Sequence, residues 1–201
     1  HALKQPTPPE IIHELIGTPR TEYTQEIDID NLTLRYDILY RSRRIKIRQT
    51  TIDSVMPISR NIRIYGPDNW EKWPEYNPFY QRFIDNPHEL RDIYQSTRLN
   101  LHEGVSLHMR LLDCFASGGC LLYLNPDERA NTGKGILFFF EEGEHYLKAE
   151  EDDFTTQVKE YLANKELCDK IGLNASRIIH SEHTWQHRAQ KVVKDCQYVL
   201  S

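Results

Sequence analysis

The sequence predicts an α/β protein built on a Rossmann-like parallel sheet flanked by helices, with a helical extension ahead of it. Three observations carry this expectation. Between Leu99 and Leu124 an apolar run, a helical pattern and a second apolar run follow at a spacing that forces the two strands to be parallel. An alternating segment ending on a glycine, residues 61–66, precedes them. Three amphipathic stretches, residues 152–164, 165–180 and 184–200, follow and supply helices to cover the sheet.

The 201 residues suffice for one substantial core with an appended segment. Residues 1–26 hold Pro6, Pro8, Pro9 and Pro19 and read as a linker or arm, with one short amphipathic piece at 10–16. Residues 27–59 read as a helical extension, one long helix with a potential break at 49–51. Residues 60–201 form the Rossmann-like domain. Within it the strand at 61–66 stops on Gly66 before a loop rich in Trp, Pro and Asn. Asn86 followed by Pro87 caps a helix that ends near Thr97. Residues 98–102 form a strand, 106–117 a helix and 120–124 a strand. A polar loop, 125–134, leads to strand-like pieces at 135–140 and 145–148.

Composition narrows the function classes. Hydrophobic residues make up 39% and charged residues 27%, with no apolar run long enough to span a bilayer. A net charge of -5 gives no basic field to gather nucleic acid. Cys114, Cys120, Cys168 and Cys196 form no CxxC pair and sit in apolar or helical patterns, which suits buried thiols in a reducing compartment and predicts a cytoplasmic protein. The start at His1, with no charged leader and apolar core behind it, predicts neither a secretory signal nor a whole protein, and an upstream region is expected to be missing.

The chemistry concentrates between Leu99 and Gly119. Leu107, Leu111 and Phe115 recur at i, i+4 and i+8 and claim the sheet-facing side of a helix, which turns Ser106, Arg110 and Asp113 elsewhere. Gly104 admits close backbone approach, and the N–H groups of Val105 and Ser106 at a helix start carry partial positive charge, so an anion is favoured there. Arg110 adds a bidentate donor for phosphate oxygens, and Asp113 an acceptor for two vicinal hydroxyls such as a ribose presents. Any helix opening after a glycine in an α/β sheet shares this look, so the motif alone leaves anion binding open.

The order of segments supplies context. "NIRIYG", a Trp-rich loop, "DIYQSTRLNLHEGVSLHMRLLDCFASGGCLLY", "GILFFFEEGEHYL", "VKEYLANKELCDKIG" and "HTWQHR" together resemble the C-terminal domain of CgeB-type (spore maturation protein) glycosyltransferases, which are similar to group 1 transferases of the GT-B fold. The likeness covers about residues 60 to 195. Arg110, Gly118, Gly119, His183, Thr184, Trp185 and Arg188 fall on that family's motif positions, and Asp113 stands where it usually has Glu. Glu103 approximates an acid that wider group 1 transferases place earlier.

The resemblance implies transfer of a sugar from a nucleoside-diphosphate sugar, needing neither metal nor cofactor. The donor-binding group expected is Glu103, Arg110 and Asp113 from the resemblance, Gly104, Val105 and Ser106 from the helix start, and Tyr65 and Gly66 from their place at a strand end on the cleft rim, with catalytic residues unassigned. An N-terminal domain of the same chain would present a glycan, lipid or protein acceptor. This half alone would be inactive. From a different class, a non-catalytic binding or assembly module in a glycan-synthesis complex also fits.

Other features read more plainly. His183 and His187 stand at i, i+4, but no acid completes an HExxH, which favours capping or core roles over a metal. The basic run at Arg41, Arg43, Arg44, Lys46 and Arg48 alternates with Ile45 and Ile47, as on a solvated helix. Trp70, Trp73, Tyr76, Phe79 and Tyr80 either pack over a sheet edge or stack on a base or sugar. Lys134 lacks the GxxxxGK[ST] spacing of a phosphate-binding loop.

Overall fold

The computed structural model describes residues 32–103, 108–124, 136, 139–149 and 151–200. The calls on the N-terminal arm, on Gly104, Val105, Ser106 and Leu107, and on the polar loop with Lys134 lie outside the described residues. The chain divides into two units at Ser54/Val55.

Helix α1, Leu32–Val55, runs without a break through residues 49–51. It stops before Pro57, earlier than the sequence suggested, because the residue ahead of a proline is driven out of helical conformation. The N–H groups of Ile58 and Ser59 turn back onto the Val55 carbonyl, both at 3.0 Å. Arg44 and Lys46 are exposed, as a solvated flank requires.

Only Ile64–Tyr65 of the expected strand at 61–66 is extended in a ladder, as β1. Its parallel partner β2, Tyr80–Arg82, emerges from the aromatic loop, where local alternation gives no strand signal. Two 3-10 turns, Asp68–Lys72 and Asn77–Phe79, fold that loop on itself. Trp70, Trp73 and Tyr76 pack as a trio with ring centroids 5.7–5.8 Å apart, and Tyr76 and Phe79 are buried. Packing thus accounts for these rings.

Helix α2, Pro87–Ser96, starts as expected. The Asn86 carboxamide accepts from the His88 and Glu89 N–H groups at 2.9 and 3.3 Å, with Pro87 preset at the first helical position. A second sheet follows: β3 Asn100–His102, β4 Leu121–Tyr123 and β5 Leu147–Lys148, all parallel, in the order β3-β4-β5. Between β3 and β4 lies α3, Met109–Ala116, and after β5 come α4 Phe154–Ala163, α5 Lys165–Glu182 and α6 Trp185–Leu200. The class is α/β, as the strand and helix patterning predicts.

β4 is buried on both faces, and its alternation sorts the core. Leu121 and Tyr123 join Leu111, Cys114 and Phe115 of α3 and Ala175 and Ile179 of α5. Cys120 and Leu122 join Leu147, Val158 of α4, and Cys168 and Ile171 of α5. The expected strand at 135–140 is corrected at its described residues: the Phe139 and Phe140 N–H groups both return to the Ile136 carbonyl, a turn that tucks Ile136 and Phe140 into the core. Cys196 is exposed, unlike the three other thiols, so the uniform burial expected of the cysteines fails at that position.

Two close approaches fix the helices on the sheet. α3 ends in a Schellman turn, with Gly118 N–H to Phe115 O and Gly119 N–H to Cys114 O, both 2.9 Å, and Gly118 at φ 77°. α5 presses against it at Gly172, where an added Cβ would lie 2.1 Å from the Gly118 carbonyl oxygen. The Ser176 hydroxyl and His180 Nε2–H both donate to the Ala116 carbonyl, at 3.3 and 3.1 Å, satisfying an orphan acceptor at the α3 terminus. Buried Asn100 ties α2 to the sheet by donating to Tyr94 O at 3.1 Å and Cys120 O at 3.2 Å.

Candidate functional site

Parallel strands point their carboxyl ends the same way, and open α/β sheets bind ligands beyond that edge. Register sets His102, Tyr123 and Lys148 side by side along it. The His102 ring, 3% exposed, lies 6.0 Å from Tyr123 and 6.2 Å from His108. Directly after β3 comes Glu103, whose side chain is 14% exposed.

α3 rises from this edge. Its first helical residue is Met109, not Ser106, because His108 is extended and acts as the N-cap. His108 Nδ1 accepts the Arg110 backbone N–H at 3.1 Å, the role Asp or Asn usually fills. Leu111 and Phe115 turn inward and are fully buried, as their spacing predicts, while Arg110 and Asp113 stay exposed.

Of the residues singled out from sequence, the structure brings Glu103 and Arg110 together: Arg110 Nη2 lies 3.6 Å from Glu103 Oε1. The Tyr94 hydroxyl donates to the Arg110 carbonyl at 3.4 Å. Burial drives that phenol well above the ordinary tyrosine range, with Cys114 and Asp113 adding and Arg110 opposing. Asp113 follows Arg110 by three residues. Desolvation raises its carboxyl above the usual value, against a lowering by His108. Proton transfer from Tyr94 is therefore disfavoured, and its part is to hold the helix.

Tyr65 and Gly66 belong to the other sheet and are held locally. The Gly66 N–H donates to Arg82 O at 3.2 Å, its carbonyl accepts from the Tyr80 hydroxyl at 3.2 Å, and a Cβ there would sit 3.3 Å from Trp70 Nε1. The later motif residues make local contacts too. Thr184 Oγ1 receives the His187 N–H at 3.4 Å and lies 2.7 Å from His187 Nδ1, and the Thr184 carbonyl accepts the Arg188 N–H at 3.1 Å, which starts α6. Arg188 Nη2 donates to His183 Nδ1 at 2.9 Å, and its guanidinium lies 5.8 Å from the centre of the Phe139 ring. Desolvation first, then Arg188, depresses the His183 pKa.

His102, His108, Tyr123 and Lys148 were not among the residues the sequence singled out. Their signal was position alone, the last residue of each strand and the residue before a helix, and it becomes readable only once the register is known.

A family described as "Glycosyl transferase-like" matches residues 43–194, well over half of the chain. This chain belongs to that family. The match takes in α1 from residue 43, both sheets and most of α6, and so includes Glu103, Arg110 and Asp113. Membership in this glycosyl transferase-like family gives the domain a general role in glycosyl transfer, and with it a sugar donor and an acceptor. No curated protein and no solved structure matches the chain. Among the described residues, no helix is long and apolar enough to cross a membrane.

Proposed function

We propose that this chain is the donor-binding, C-terminal half of a GT-B glycosyltransferase resembling the CgeB type, and that its donor is a nucleoside-diphosphate sugar. The observation that carries the reading is the Glu103–Arg110 pair at the carboxyl edge of a parallel sheet, at the start of a helix, inside the family-matched region. Glu103 orients the guanidinium, and one side-chain contact leaves other N–H donors for diphosphate oxygens. Arg110 and the helix start oppose the charge that grows on the departing diphosphate, which is where transition-state stabilisation is most effective. Asp113 takes the ribose hydroxyls, its reach one methylene shorter than a Glu. Tyr65 and Gly66 form the opposite rim. The chemistry asks for no metal, the compartment is the cytoplasm, and the acceptor is presented by an N-terminal domain of the parent chain.

The test is titration of the chain with UDP, GDP, ADP and dTDP, followed by amide spectra. At least one should bind, and Arg110→Ala should weaken it by about 10- to 100-fold, the worth of a charge-assisted contact. If none of the four perturbs the residues around Glu103 and Arg110, the donor site is elsewhere. Binding with no turnover of any nucleotide sugar by the parent chain would instead identify a non-catalytic module.

A further inference from the structure

At the amino edge of the β3-β4-β5 sheet, opposite the edge that carries Glu103, two buried thiols meet. Cys120 stands immediately before β4, 4% exposed, and Cys168 lies in the first turn of α5, 3% exposed. The glycine contact between α5 and the end of α3 brings them together. A Cβ on Gly172 would lie 3.2 Å from the carbonyl carbon of Gly119, so the α5 backbone rests there on the residue next to Cys120. Cys168 precedes Gly172 by one helical turn on the same face, which sets its side chain over Cys120. The two side chains belong to one core cluster and share a hydrogen bond that Cys120 donates.

The pair is chemically asymmetric. The hydrogen bond from Cys120 holds the Cys168 thiol below its ordinary range; desolvation opposes this, while Arg98 and Lys165 reinforce it. That same hydrogen bond, and then burial, push Cys120 the other way. A thiol that ionises readily beside one that keeps its proton is the arrangement of an attacking and a resolving cysteine. Cys114 differs: desolvation and then Asp113 raise its thiol, which donates to the Gly119 carbonyl at 3.5 Å.

We propose that Cys120 and Cys168 are a modification site, a dithiol that hydrogen peroxide converts to a reversible disulfide tying the start of α5 to the start of β4. The burial selects an oxidant little larger than water, which enters when the first turn of α5 opens. The Cys168 thiolate attacks one peroxide oxygen, the O–O bond breaks, and hydroxide leaves a sulfenic acid behind. The Cys120 sulfur then attacks the Cys168 sulfur; its proton joins the departing hydroxide as water and the S–S bond closes. The first hydroxide takes up the proton that Cys168 released, so two thiols lose one electron each and one peroxide becomes two waters. In a reducing compartment the pair rests as thiols, and a bond formed there is transient and redox-sensing.

The test is oxidation of the full chain with hydrogen peroxide, alkylation of the remaining thiols and tryptic mapping. Residues 111–129 carry Cys114 and Cys120, and residues 166–170 carry Cys168. The expected product is these two peptides linked, with fragmentation placing the bond at Cys120, and dithiothreitol should release them. Cys196→Ser should leave the product in place, whereas Cys120→Ala and Cys168→Ala should each abolish it; the wild-type map reads the bond directly even if an alanine variant fails to fold. Because the bond closes a long loop of the unfolded chain, the oxidised protein should melt about 5–10 °C higher. The proposal is overturned if both thiols stay reduced, if Cys168 goes only to sulfinic acid, or if it links to Cys114 or Cys196. A melting temperature below that of the reduced chain overturns it too, since the thiols would then not be placed for bonding. None of these outcomes depends on donor binding.

Discussion

α5 and α6 are neighbours in the chain, similar in length and both amphipathic, yet they have opposite fates. α5 buries Cys168, Ile171, Gly172, Ala175 and Ile179, touching both faces of the β3-β4-β5 sheet's core. α6 buries none of its described side chains. The difference is not hydrophobicity. α5 carries small residues, Gly172, Ala175 and Ser176, where it meets the Gly118–Gly119 turn, so its backbone reaches the sheet layer. α6 presents Trp185 and Val192 instead, and both stay exposed. An apolar periodicity alone therefore does not decide whether a helix is buried; small residues at the point of contact let α5 reach the sheet layer.

The contrast can be broken most severely at Gly172. Alanine there would set its Cβ 2.1 Å from the Gly118 carbonyl oxygen and 2.9 Å from its carbonyl carbon. Because both sides of the contact are backbone, the strain cannot be relieved by a rotamer. The expected loss is about 3 kcal/mol, the upper end for overpacking, read by chemical denaturation, and retention of wild-type stability would show that the helix shifts freely.

Truncation sharpens the comparison. Ile171→Ala, at a fully buried site, should cost about 2–4 kcal/mol, whereas Val192→Ala, at an exposed one, should stay within about 0.5 kcal/mol. Comparable losses at the two sites would erase the distinction between the helices.

The smallest effect is at the junction between them. His183 has a folded pKa below its ordinary 6.5, through desolvation and then Arg188. As pH falls below that value the unfolded chain takes up a proton that the folded chain refuses until lower pH, so the contribution is complete above about 6.5 and fades beneath it. The melting temperature should decline from pH 7 to 5, and His183→Gln should flatten part of that slope. An NMR titration placing His183 above 6.5 would contradict the geometry in which its Nδ1 accepts from Arg188.

Local chemistry was the legible part of this molecule. The α2 start at Asn86-Pro87 could be read because a cap is decided within four residues, and β3, α3 and β4 because alternation and helical period change within one short span. β2 was invisible: Tyr80–Arg82 is a strand only through its ladder to β1, sixteen residues away in register at Ile64↔Tyr80. The start of α3 was misplaced because histidine is an uncommon cap, and here its Nδ1 does what a carboxamide does elsewhere. The aromatic run before Glu141 resembled a strand, but turn hydrogen bonds to Ile136 set its described part. At the site, the helix stripe exposed Arg110 correctly, while its meeting with Glu103 and the row His102, Tyr123 and Lys148 depend on loop path and register, which no single segment encodes.

The meeting of Gly172 with Gly118 has a consequence for sequence change. Two positions far apart in the chain share one volume smaller than a methyl group, so neither can drift alone: a side chain at 172 forces the helix away and opens a void beneath Ala175 and Ile179. Gly118 is bound twice over, by its left-handed turn and by this neighbour. The pair behaves as a mutational lock. Replacements at the α3–α5 junction therefore fall on the fold itself, whereas those at the exposed side chains of α6 cost it little.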